Sequence, residues 1–276
     1  MVHTLRFVFG RPATAVSAGV ILLFAAVAVV GPWISPYDPG HQDYSAIFGS
    51  PSGAHLLGTD DLGRDVLSRL IEGARISLAV ALATTALVLV VAVPIGLVAG
   101  YYRGWLDVVV SRGVDVMLAF PYIILAVGLA VIMGPSLLTV TVSMAVAVLP
   151  WLIRIVRGEV LSLREREYVS GAVLDGARTH TILFRHLLPN LTGPLIVQAT
   201  LLIPFGILGE ALLSFLGLGV QPPTATWGVM LANAQPFAQS NPGLSIVPGI
   251  AIAVVTLAFN LLGDGLRDLF DPRTVR

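Results

Sequence analysis

The chain has 276 residues, no net charge, 56% apolar and 12% charged residues, and a mean hydropathy of +0.88. Soluble domains carry about 25% charged residues, so this composition, with several apolar runs of about 20 residues, excludes an ordinary soluble globule and fits a polytopic membrane protein. Zero net charge argues against nucleic acid as a partner. The lack of cysteine excludes disulfides and thiolate chemistry. All sixteen basic residues are arginine, which removes the lysine that a P-loop ATPase requires.

Residues 1–12 carry His3, Arg6 and Arg11, and residues 13–34 are apolar over a length that spans a bilayer. A signal-peptide core is shorter. Trp33 falls where an indole suits the membrane interface. Residues 35–75 form a long polar segment opening on the turn-rich Pro36-Tyr37-Asp38-Pro39. Asp60 or Asp61 can cap a helix with Val66, Leu67, Leu70 and Ile71 as its apolar stripe and Arg64, Arg69, Glu72 and Arg75 on other faces. That pattern predicts an amphipathic helix lying on the membrane surface, a collar before span two.

Span two is expected over 76–100 with Pro94, a polar loop over 101–115, and span three over 116–133 with Pro121. After the turn Gly134-Pro135-Ser136 comes span four, 137–156, with Pro150. A polar stretch, 157–190, precedes span five, 195–218, with Pro204 and Glu210. An uncharged loop, 219–243, then leads to span six, 244–262, with Pro248, and to a charged tail. The expected fold is all-α with six spans, and the internal prolines of spans two to six predict kinks. Residues 1–12, 101–115, 154–190 and the tail fall on one side and hold two, two, six and three arginines, against only Arg64, Arg69 and Arg75 on the other. The first side, with both termini, is therefore expected in the cytoplasm of a cell-membrane protein.

Within 165–190 the pattern predicts two short helices. One covers 168–174; a second covers 180–187, with Thr179 as N-cap, and stops before Pro189. Gly176 lies between them as a flexible break. Arg185 and His186 point to different faces of the second helix.

Glu210 is a mid-span carboxylate, costly at bilayer depth. It has two readings, a structural partner inside the bundle or a proton-coupled site. Asn260 and Asp264 lie one turn apart at the end of span six. H-E-x-x-H is missing and all five histidines fall outside the spans, so neither a metal site nor a catalytic residue is expected.

Glu167-Tyr168-Val169, Gly176-Ala177 and Arg185-His186-Leu187-Leu188-Pro189-Asn190 resemble the EAA loop of type I ABC importer permeases of the dipeptide, oligopeptide and nickel subfamily. Ser170-Gly171-Ala172 stands where Glu-Ala-Ala is usual, so only Ala172 is kept. The strings HLLGTDDLGRDVLSRLIEGARISL, EALLSFLGLGVQPP and NLLGDGLRD through Asp271-Pro272-Arg273 resemble the same subfamily, so the likeness extends over about 50–273. It implies a permease domain over about 73–265, preceded by the first span and an extracytoplasmic segment (1–72) and followed by a tail (266–276). It further implies a second homologous permease subunit, two cytosolic ATPase subunits or domains that hold ATP and Mg, and an extracytoplasmic substrate-binding protein. This chain would bind no cofactor.

The coupling residues implied are Glu167, Tyr168, Ala172, Leu174, Gly176, Ala177, Arg185, His186 and Pro189. Glu210, Ser214 and Asn260 are candidates for the translocation path. Asp60, Asp61, Arg64 and Asp65 are candidates for the collar or for docking the binding protein. Dipeptides or short peptides are the expected cargo, with nickel or glutathione as alternatives. A proton-coupled secondary transporter using Glu210 and a structural scaffold are the competing classes.

Overall fold

A computed structural model describes residues 12–270. The N-terminal residues His3, Arg6 and Arg11 and the terminal Asp271-Pro272-Arg273 lie outside that range. Helix α1 (Pro12–Ile34) agrees with the first predicted span. It packs on two other spans through small residues: a Cβ on Gly31 would lie 2.7 Å from Ile71 of the next helix, and one on Gly265, near the chain end, 2.6 Å from Thr14. Its remaining faces are apolar and exposed, as lipid contact requires.

Helix α2 runs unbroken over Val66–Tyr102, so the expected surface helix does not form as a separate element. Asp65, rather than Asp60 or Asp61, is the N-cap and accepts from the Ser68 N–H. Nothing in 66–75 interrupts the backbone, and Ser68 and Arg69 turn inward, as does Arg64 just before the helix, while Arg75 stays exposed. Further along, Gly96 and Gly100 form a small-xxx-small pair whose absent side chains let Val156 and Val160 of α5 (Leu137–Arg164) approach.

The expected 101–115 loop is instead a helix, α3 (Gly104–Leu118), which turns by 87° into α4 (Tyr122–Met133). Span three is this bent pair. Pro121 carries no N–H and disfavours helical geometry at Phe120, which accounts for the break. The other span prolines, Pro94, Pro150, Pro204 and Pro248, lie inside helices that continue through them.

After α5 comes the short helix α6 (Glu167–Leu174), close to the predicted 168–174. The next helix does not stop before Pro189. Thr179–Phe215 is one helix, α7, with a π-helical stretch at Ile182–Leu187. The widened turn sets the Leu188 N–H on the Leu183 carbonyl and carries the chain past Pro189, whose own N–H is missing. Arg178, not Thr179, holds the N-cap position, with no side-chain cap bond. The 219–243 loop contains a further helix, α8 (Trp227–Ala234), capped by Thr226 on the Val229 N–H. Helix α9 (Gly243–Phe270) extends beyond predicted span six into the tail.

The ends of the bundle follow from these contacts. Tyr102, Arg164, α6, Thr179 and Phe270 share one end, with Gly193 of α7 against Phe270. The 35–65 segment, Phe215 and α8 share the other. One buried apolar cluster joins α2, α3, α4, α5, α6 and α7, and a second joins α2, α7, α8 and α9. Among the described residues the result is an all-helical bundle with five long apolar helices and a sixth span formed by the bent pair.

Candidate functional site

At the α6 end, Val169 is buried and anchors α6, leaving Glu167, Tyr168, Val173 and Leu174 outward. Leu174 is 87% exposed and Phe184, one turn into α7, is 64% exposed. A soluble neighbour or lipid must cover such a surface, or it is left in water. Helix α6 closes in a Schellman motif: Gly176 N–H donates to the Val173 carbonyl and Ala177 N–H to the Ala172 carbonyl. Gly176 has φ +75° and open space around it. Its requirement is therefore conformational, and the expected flexible break is a hydrogen-bonded left-handed turn. Ala172, Ala177 and His186 are half-buried, whereas Arg185 and Pro189 are exposed. Arg185 and His186 thus differ in environment.

Three arginines before α6 are tied to the neighbouring helices, although Arg154 stays exposed. Arg157 pairs with Asp107, Arg154 with Asp115 at 2.6 Å and Arg103 with Glu165 at 2.9 Å. Arg164 donates to the Tyr101 carbonyl at 2.7 Å and lies over the Tyr101 ring. These ties fasten α5 to α2 and α3 directly behind α6. Sequence reasoning missed them because it placed 101–115 in a loop; the signal was the Arg103, Asp107 and Asp115 spacing on one helix.

At the opposite end, the collar residues come together as a buried polar cluster. Asp60 accepts from the Leu62 and Arg64 N–H groups and from Arg64 Nε at 2.7 Å. Asp61 lies 3.4 Å from Arg64 Nη2. Asp65 accepts from Ser68 and lies 2.9 Å from His55 Nδ1. Arg69, 1% exposed, donates to the Pro39 carbonyl and lies 3.5 Å from Asp60. Its Nη2 has no protein partner, and Arg69 borders a cavity of about 20 Å³ beside Asn233, room for one water. Gly63 has φ +70°, and a Cβ there would sit 1.8 Å from the Asp43 carbonyl oxygen, so this loop closes only with glycine.

Glu210 is fully enclosed, below α8 and only five residues from the end of α7 rather than at mid-span. Ser77 Oγ of α2 donates to one carboxyl oxygen at 2.9 Å, and Ser214 Oγ of α7 to the other at 2.8 Å. Ser77 links this carboxyl to α8, because its Oγ also accepts from the Trp227 N–H. Ser214 is buried with Glu210; Asn260 is exposed on α9. The structure thus joins two of the three candidate path residues and separates the third. A cavity of about 270 Å³, lined by Phe120, Tyr122, Trp151, Phe205 and aliphatic neighbours, opens at the Pro121 bend.

A family profile described as binding-protein-dependent transport system inner membrane component matches residues 92–276, and the N-terminal TM domain of oligopeptide transport permease C matches residues 6–51. The chain belongs to this family of ABC importer permeases. It is 42% identical to the dipeptide transport system permease protein DppC of Alkalihalophilus pseudofirmus, over 92% of this chain and 84% of that one. It is 43% identical to the glutathione transport system permease protein GsiD of Pectobacterium atrosepticum (96% and 89% covered). The di/tripeptide transport system permease protein DppC of Pseudomonas aeruginosa is 42% identical (92% and 86% covered). Family membership sets aside the proton-coupled transporter and the scaffold.

Proposed function

We propose that the chain is one of two non-identical permease subunits of an ATP-driven importer that carries dipeptides or other short peptides across the cell membrane. The α6 end, with both termini, lies in the cytosol, in line with the placement of thirteen of the sixteen arginines. The observation that carries the reading is the apolar surface of Tyr168, Val173, Leu174 and Phe184 on a short helix held by the Gly176 turn. That surface seats in a cleft of a cytosolic ATPase subunit, which holds ATP and Mg. Closure of the ATPases displaces α6, and the α2–α3–α5 ion pairs behind it pass the displacement to the bundle. A binding protein delivers cargo at the α8 end, against the collar of Asp60, Asp61, Arg64 and Asp65. The sibling permease covers the exposed apolar face of α4, where Ile132 is 82% exposed. The dipeptide and di/tripeptide relatives favour peptide cargo, and glutathione, itself a tripeptide, is the second reading on the strength of its own relative.

The test is uptake into proteoliposomes holding this chain, its sibling and the ATPases, with the binding protein outside. Labelled dipeptide uptake that requires ATP and competes with unlabelled dipeptide is the expected result. Competition by glutathione alone moves the substrate to the second reading, and nickel uptake moves it to the third. Uptake sustained by a proton gradient without ATP contradicts the proposal.

A further inference from the structure

We infer that Glu210 is a positioning residue, the joint through which the 216–243 segment is fixed to the far end of α7. This rests on the importer reading above. The carboxyl gathers hydroxyls from two helices, Ser77 of α2 and Ser214 of α7. Ser77 Oγ also accepts from the Trp227 N–H at 3.3 Å, and Trp227 Nε1 donates to the Leu70 carbonyl at 3.1 Å. Packing leaves no slack: a Cβ on Gly228 would lie 2.6 Å from Ala211 Cα, and one on Gly73 2.7 Å from the Trp227 ring. A carboxylate enclosed in apolar surroundings is costly unless its oxygens are bonded, so the assembled arrangement of α2, α7 and α8 is the one in which Glu210 is satisfied.

Helix α7 runs without interruption from Thr179, beside α6, to this joint, about 45 Å along its axis. The two ends of the bundle are therefore connected by one helix. A binding protein that shifts the 216–243 segment moves α7 only while the joint holds. Glu210 does not act as a proton carrier in this account: its oxygens are occupied by hydroxyl donors and it has no exposed surface.

The test is ATP hydrolysis by the whole importer complex in proteoliposomes, with and without peptide-loaded binding protein. Wild type must first show stimulation; its failure to do so would count against the importer reading itself. Given stimulation, Glu210→Ala is expected to lower the stimulated-to-basal ratio by about fivefold or more, the range of ordinary coupling energies, while Glu210→Gln keeps part of it. Rescue by Glu210→Gln, which keeps the side chain's size and one acceptor oxygen, separates the joint from a general folding defect. Should Glu210→Ala not reach the membrane, Ser77→Ala, which keeps the carboxyl and removes the hydroxyl it shares with the Trp227 N–H, takes its place. An unchanged ratio in the variant that reaches the membrane, or a Glu210→Gln ratio no higher than that of Glu210→Ala, overturns the inference.

Discussion

Arg157 of α5 grips Asp107 of α3 with two guanidinium nitrogens, Nε on one carboxylate oxygen and Nη2 on the other at 2.8 Å. The pair is partly shielded, and it is the middle of three ion pairs that fasten the helices behind α6. Bidentate, charge-assisted geometry of this kind is stronger than an exposed surface pair. Arg157→Ala is expected to cost about 1–3 kcal/mol, and a double-mutant cycle with Asp107→Asn should give a coupling of about 1 kcal/mol or more. Thermal unfolding in detergent measures both. Additive single effects would show that the pair contributes nothing beyond its separate side chains.

Gly96 and Gly100 face Val156 and Val160 of α5, and a Cβ at either glycine would lie under 3.0 Å from those side chains. Gly96→Leu should separate α2 from α5 and destabilise the fold by about 1–3 kcal/mol. Gly113→Ala, with nothing within 4 Å, should be neutral or slightly stabilising as an internal helix position. The two melting curves, compared side by side, check the assignment of close packing.

Gly63→Ala places a methyl group against the Asp43 carbonyl and demands φ +70° of an alanine. The 43–65 loop should open while the spans remain inserted. Limited proteolysis reads this as new cleavage within 43–65 in otherwise intact membranes; a wild-type digestion pattern would contradict the loop geometry.

Gly176→Glu keeps the space around the turn but loses its left-handed conformation. The Schellman closure of α6 fails, and coupled transport should be abolished with insertion unchanged. Membrane fractionation and peptide uptake check the two halves separately. Normal uptake would remove α6 from the coupling path.

Much of this was legible in the residues. Apolar length located the spans, and Glu167-Tyr168-Val169 with Gly176-Ala177 located α6, because those signals are local. Three features were not. Helix α3 was hidden because Arg103, Asp107 and Asp115 look like loop residues until Arg154, Arg157 and Glu165, about fifty residues away, supply their partners. The continuity of α7 was hidden because Pro189 ordinarily ends a helix, and only a π-helical turn carries the chain through it. Arg64 and Arg69 were placed on the polar faces of a surface helix because the Pro39 carbonyl that receives Arg69 inside the fold lies thirty residues away. Glu210 was singled out as expensive, but its hydroxyl partner Ser77 lies 133 residues away in the chain.

The most direct test of the coupling surface is affinity purification of this chain in mild detergent, assaying the eluate for a co-purifying ATPase. The account predicts an ATP-hydrolysing subunit with wild type, and its loss when Val173 and Leu174 are both replaced by Asp, with the sibling permease still bound. An ATPase that stays with the Val173→Asp, Leu174→Asp variant at wild-type yield would contradict the assignment of α6 as the coupling surface.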